Sequence, residues 1–213
     1  MKFMEKSSCF VIGFSGIVSA GKTTLLKEVP KSIEDSVSMI WDDYDHLVKL
    51  EFDDPIEWVA DGCDTNKWKT VQFIEDIRSL KEGNPIHHPI SKEKINHAKY
   101  ILVEDPTGRT RTEMADLIDY LIFINLPHEI SIVRAYNREL NDEEKGKNPE
   151  ELIKFLKFYT QRYLDWFYSA LKIIEKRIRE DADLIVDGLK PTTELVDIVL
   201  SNIRDFDNDI NII

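Results

Sequence analysis

Five short apolar runs punctuate the chain: "CFVIGFS" at 9–15, "SVSMIW" at 36–41, "KYILVED" at 99–105, "YLIFINL" at 120–126 and "ADLIVDG" at 182–188. Each is apolar at successive positions rather than at alternate ones. That is the pattern of a strand covered on both faces, as in a parallel sheet with helices on either side. Between the runs, apolar residues fall at helical spacing. Residues 22–29 follow the first run as a helix start. Over 65–82, Trp68, Val71, Ile74 and Ile77 make one stripe, stopped by Gly83. Further helices are predicted over 128–140, over 149–180 behind Pro149, and over 191–204 behind Pro191. The tail from 205 onward reads as frayed.

Strands alternating with helices predict an α/β sandwich with a mainly parallel sheet. No internal repeat or linker divides the 213 residues, so 1–213 reads as a single domain. The most polar stretch, "NDEEKGKNPEE" at 141–151, reads as a solvated loop on composition alone. Its place between two helices also suits a mobile lid over 134–151. The aromatic run "FLKFYTQRYLDWFYSAL" at 155–171 reads as a helix packed on the core, with Arg162 the one charge able to face a cleft.

Composition narrows the partners. Hydrophobic residues make up 42% of the chain, enough for an ordinary core. A formal charge of −12 repels a phosphate backbone and argues against nucleic acid. No run approaches the ~18 apolar residues of a membrane helix. Cys9 and Cys63 have no CxxC partner and suit a reducing, cytoplasmic compartment. Histidines 46, 87, 88, 97 and 128 lack chelating spacing. The opening "MKFMEKSSCFVIGFSGIVSAG" has early lysines and a small-residue "VSA", as a secretory leader does. Gly13, Ser15 and Gly16 interrupt its apolar run, however, and Glu5 sits in the basic region.

The same residues build a better-specified motif. "GIVSAGKT" fits G-x-x-x-x-G-K-[ST] through Gly16, Gly21, Lys22 and Thr23. Successive backbone N–H groups can surround a triphosphate only in conformations that side chains oppose, hence the glycines. The loop then opens into a helix whose N-terminus favours anions. Lys22 brings positive charge to the β- and γ-phosphates, and the Thr23 hydroxyl reaches Mg²⁺. The candidate nucleotide-binding residues are Gly16, Ser19, Ala20, Gly21, Lys22, Thr23 and Thr24, with ATP and Mg²⁺ the expected ligands. A glycine turn with an incidental lysine is the bland alternative. The preceding strand and following helix favour the phosphate reading.

Acidic and basic residues gather at the predicted strand ends. "MIWDDYDH" sets Asp42 and Asp43 just beyond the second strand. A carboxylate there can take the proton of an attacking hydroxyl or hold Mg²⁺ through water. Solvent-facing acids in a turn are the alternative. "ILVEDPTGR" puts Glu104 and Asp105 at the same edge, where an acid organises metal and water. Arg109 follows and can meet a phosphate or serve a helix end. Arg134 and Arg138 are four apart on one helix face, placed either to neutralise charge on a transferring phosphoryl group or to pair with Glu139 and Asp142.

In this order the motifs resemble the uridine-kinase-like group of P-loop small-molecule kinases. The resemblance runs over roughly 8–200, through "GIVSAGKTT", "DDY", "LKEG", "VEDPTGR" and "IFINLP". It implies a five-stranded parallel sheet in the order 2-3-1-4-5 within a three-layer P-loop sandwich. It implies Asp42 as base toward the acceptor hydroxyl, with Trp41 where glutamine is common and Tyr44 matching an aromatic. Lys22 and Thr23 match the loop, Glu104 the acidic strand end, and Arg138 the basic lid position; the catalytic set is then Lys22, Asp42 and Arg138. The metal set is Thr23, Asp42 and Glu104. Asp61 or Asp64 would meet a ribose, with Asp43, Tyr44, His88, Arg109, Arg134 and Arg162 around the acceptor.

The chain also departs from the group. "EGNPIHHPISKEKI" lacks the tyrosine–aspartate pair and arginine of the uridine kinase Y-D-F-x-x-H-x-R stretch. "EDPTGR" replaces E-G-[IL]. The function implied is an ATP-dependent kinase acting on a hydroxyl of a small metabolite, with a nucleoside such as uridine or cytidine in first place. A kinase of a nucleoside monophosphate or sugar nucleotide is a second reading, for which Arg78, Arg109, Arg111, Arg134 and Arg138 are available. A nucleotide-binding regulatory module without turnover is a third. Monomer and homo-oligomer are both compatible with the sequence.

Overall fold

All five apolar runs form strands of one sheet in the computed structural model, which describes residues 9–141, 148–207 and 210–212. β1 (Phe10–Gly16) leads through the glycine-rich loop into α1 (Lys22–Glu28). β2 (Ser36–Met39) is followed by a 3-10 turn, Trp41–Leu47. A short strand β3 (Lys49–Leu50), helix α2 (Pro55–Ala60) and strand β4 (Trp68–Lys69) precede α3 (Val71–Lys81). β5 (Ile86–His87) and β6 (Lys94–Ile95) pair as a small hairpin. Then come β7 (Tyr100–Glu104), α4 (Thr112–Ala115), β8 (Tyr120–Asn125) and α5 (His128–Asn141). α6 (Pro149–Arg162) passes through a π-helical turn, Tyr163–Phe167, into α7 (Tyr168–Asp181). β9 (Leu184–Asp187) and α8 (Thr192–Phe206) complete the order.

The sheet runs β2-β7-β1-β8-β9, and every neighbouring pair is parallel. Counting main-sheet strands alone, this is the expected 2-3-1-4-5 order. The runs are continuously apolar because alternate residues feed two cores. Val11, Ile101, Val103 and Phe123 face one side, packed against Phe73, Ile77 and Ile174 of α3 and α7. Ile12, Phe14, Leu102 and Ile122 face the other, against Leu25, Leu195 and Val199 of α1 and α8. Two helical layers sandwich the sheet and leave its carboxyl edge open for the loops.

Four differences from the sequence expectations have physical causes. The helix read over 65–82 begins at Val71, because Trp68 belongs to β4, pairs with Leu50 and packs on Trp58 at 5.6 Å. Its place on the helical stripe was a coincidence of spacing. The second strand stops at Met39, where the chain winds into the 3-10 turn. The helix over 149–180 is continuous but carries the π turn. The tail read as frayed returns to the body: Ile210 is buried, Ile212 bridges Ile33, and Glu34 N–H donates to Asn211 O at 3.1 Å. Of the predicted lid, residues 142–147 lie outside the described residues.

Candidate active site

The phosphate loop sits at the carboxyl end of the central strand. Gly16 has φ +152°, and a Cβ there would meet Ile124 O at 2.8 Å, so only glycine lets the loop leave β1 this closely against β8. Gly21, at φ +104°, caps α1 in the left-handed region. Ser131 of α5 donates to Val18 O at 2.6 Å and pins the loop from the α5 side. The Ser19 hydroxyl is buried without a partner, an orphan group in the middle of the cradle.

Lys22 folds back over the loop. Its Nζ donates to Ile17 O at 3.1 Å and lies 3.8 Å from Glu104 Oε1. Thr23 Oγ1 donates to Glu104 Oε2 at 2.7 Å. Burial pushes the Lys22 ammonium down, against the pull of Glu104 and Asp42. Burial pushes the Glu104 carboxyl up, against Lys22 and the Thr23 hydrogen bond. Hydroxyl and carboxylate oxygens are the donors Mg²⁺ takes. Among the described residues no cluster of three His, Cys, Asp or Glu side chains makes a metal site. A cation here would rest on Thr23, Glu104, phosphate oxygens and water.

A cleft of about 680 Å³ extends from the loop and is lined by Asp42, Asp45, Trp68, Glu104, Pro106, Arg134, Arg138, Arg162 and Phe167, among others. The 3-10 turn explains why Asp42 reaches it. Residues three apart share a face in such a turn. Trp41 and Tyr44 are buried, while Asp42 and Asp45 are exposed on the other side. Arg134 Nη2 donates to Gly188 O at 3.1 Å, and Arg138 faces the cleft from the last turn of α5. The Arg162 guanidinium lies 4.8 Å from the Trp166 ring and 4.6 Å from that of Phe167, and its Nε is buried without a partner.

Other expected acceptor residues are elsewhere or otherwise engaged. Tyr44 is an anchor: its hydroxyl donates to Asp76 Oδ2 at 2.8 Å inside the core. Asp43 and His88 meet each other, with Nε2 to Oδ2 at 3.2 Å. Asp61, Asp64 and Arg109 do not line the cleft; they border a separate polar depression. Asp64 caps the turn at Thr65–Lys67. Arg109 staples the sheet, donating to Ile118 O at 3.0 Å, Asp119 O at 3.0 Å and Asp183 Oδ2 at 2.6 Å. Bare carbonyls at strand ends claim it before any ligand does.

Sequence reasoning missed Arg111 as a structural cation of this region. It is 2% exposed and pairs with the fully buried Asp105. It also donates to Thr70 Oγ1 and, at 3.4 Å, to Trp68 O, and it lies 4.8 Å from the Trp41 ring. Thr107 donates to Asp105 from both N–H and O–H at 2.7 Å. One guanidinium thus ties the segments bearing Glu104, Asp42 and Trp68. The signal was present, since a buried aspartate needs a cation. Arg109 and Arg111 were equally placed to supply it.

This fold and this loop define a P-loop α/β protein with an acid-bearing cleft. The chain is 28% identical over 198 residues to the uridine kinase of Borreliella burgdorferi (strain ZS7), which covers 83% of this chain and 85% of that one. It is 24% identical over 211 residues to the uridine kinase of Clostridium novyi (strain NT), covering 91% and 94%. The structure of a possible uridine kinase from Bacillus stearothermophilus superposes with a TM-score of 0.48 at 14% identity, over 84% of this chain and 89% of that one. No family model matches the chain. Over most of its length, then, the chain is similar to the uridine-kinase-like P-loop kinases. Among the described residues no helix is long and apolar enough to cross a membrane.

Proposed function

We propose that the protein is an ATP-dependent small-molecule kinase that moves the γ-phosphate of ATP to a hydroxyl of its acceptor. The observation that carries this reading is one cleft holding Lys22, Thr23 and Glu104 at the phosphate loop with Asp42 exposed on the same wall. A binder without turnover has no use for that second acid. The loop N–H groups and Lys22 hold the phosphates. Thr23 and Glu104 would hold Mg²⁺, which would supply positive charge to offset that of the phosphates. Asp42 takes the proton of the acceptor hydroxyl as its oxygen bonds to phosphorus and the bond to the β-phosphate oxygen breaks. Arg138 and Arg134 face the same space and offset charge on the transferring group. The names of the curated relatives suggest a nucleoside as acceptor.

The test is ADP release from Mg·ATP with and without acceptor. The panel would hold uridine, cytidine, other nucleosides, sugar phosphates, nucleoside monophosphates and simple alcohols. Turnover should depend on an acceptor, vanish in Lys22→Ala, and fall about 10²–10⁴-fold in Asp42→Asn. Tight Mg·ATP binding with no transfer to any acceptor would sink the kinase reading in favour of a regulatory module. Full turnover in Asp42→Asn would sink the base assignment alone.

A further inference from the structure

A second, more enclosed space opens beside Lys22. It holds about 80 Å³ between Phe123 of β8 and Ala170, Leu171, Ile174 and Ile178 of α7. Val18, Lys22, Trp68, Pro106 and Phe167 line both it and the main cleft, so the two adjoin. Its wall is almost wholly apolar. Three polar side chains that line it are already engaged: Lys22 donates to Ile17 O at 3.1 Å, Thr107 donates to Asp105 at 2.7 Å, and Glu175 accepts from His128 Nε2 at 2.7 Å and from Arg179 at 3.0 Å. The Trp68 Nε1–H, by contrast, is buried with no partner.

A void in a core lowers stability, because the atoms around it lose contacts. α7 presents alanine at 170, where a larger apolar side chain would close the space. An apolar cavity of ~150 Å³ takes a benzene ring, so one about half that size takes a group of roughly three carbon atoms. A purine is too large for it, so it does not suit the base of ATP.

We infer that this space seats an apolar group of the phosphate acceptor. The substrate is an alcohol bearing a short alkyl chain or branch, with one of its oxygens positioned to accept from Trp68 Nε1–H. The inference rests on the kinase reading above and narrows its acceptor.

The experiment uses the full chain, with 3-methylbutan-1-ol as probe and Ala170→Leu to fill the space; Ala170→Val replaces it if the larger residue prevents folding. Binding is read without turnover, from the methyl signals of Leu171, Ile174 and Ile178. In the wild type those signals should shift with the probe, and in the variant they should not. The variant should melt higher, bind Mg·ATP as the wild type does, and raise the KM of any working acceptor by about tenfold or more. Unmoved methyl signals in the wild type would overturn the inference. So would an unchanged acceptor KM in the variant, or a weakened affinity for Mg·ATP in its place. Because probe binding needs no phosphoryl transfer, failure of the kinase reading shows separately, as absent turnover with the methyl shifts intact.

Discussion

Arg111 holds its surroundings through charge and shape together. Its fork meets Asp105, and its flat face covers Trp41, the residue directly before Asp42. Breaking a buried pair from one side leaves a naked charge, at a cost of about 3–5 kcal/mol. Arg111→Met should therefore lower the free energy of unfolding, measured in urea, by an amount of that order, and adding Asp105→Asn should recover part of it. Arg111→Lys keeps the charge but loses the fork and the stacked plane. It should stay folded at room temperature while acceptor-dependent kcat falls, with Mg·ATP affinity held. A normal kcat in that variant would reduce Arg111 to a stabilising role. The contrast with Lys22, Thr23 and Glu104 explains what was legible at this scale. The loop residues are fixed by spacing within eight positions, and Glu104 by the end of a strand. Arg111 and Trp68 owe their positions to contacts across 40 or more residues, as in the hydrogen bonds from Arg111 to Trp68 and Thr70.

Elements tell a similar story. The turn from β1 into α1 depends on glycine at 16, for both φ and the close approach of Ile124 O. Gly16→Ala should weaken Mg·ATP binding by more than tenfold, measured calorimetrically, because the loop must shift to seat the methyl group. An unchanged affinity would mean that the loop rearranges freely. The five strands could be read from sequence because two covered faces make an unbroken apolar run, which no amphipathic helix imitates at that length. The short pairs β3–β4 and β5–β6 could not, since two residues carry no period. The turn Trp41–Leu47 was read for its acids and not for its winding. Yet the winding turns Trp41 and Tyr44 inward and leaves Asp42 in the cleft.

At the scale of the whole molecule, pH acts through contacts between elements. Glu175 of α7 holds His128 at the start of α5, and this hydrogen bond, with Arg179 beside it, keeps the Glu175 carboxyl below the ordinary range. A carboxyl whose folded pKa lies below its unfolded one adds stability above the unfolded value and loses it as pH falls through the folded value. Stability should thus decline below the ordinary carboxylate pKa, and Glu175→Gln should flatten that acid limb in chemical denaturation. An identical limb in the variant would place the acid sensitivity elsewhere.

The sheet order also sets a timetable for synthesis. β1 pairs with β7 and β8, beginning at Phe10 with Tyr100 and Ile12 with Tyr120, and β2 pairs with β7 alone. A nascent chain that has not yet exposed Tyr100 holds two apolar strands and no partner for either in the main sheet. At roughly 5–20 residues per second, the first strand waits on the order of ten seconds before its neighbours emerge. During that interval the phosphate loop has no walls, and the unpaired strand is the segment that a chaperone or an aggregate would take first. Ribosome-bound chains halted with 99 residues emerged should be cut readily by protease near β1, and chains with 130 emerged should resist.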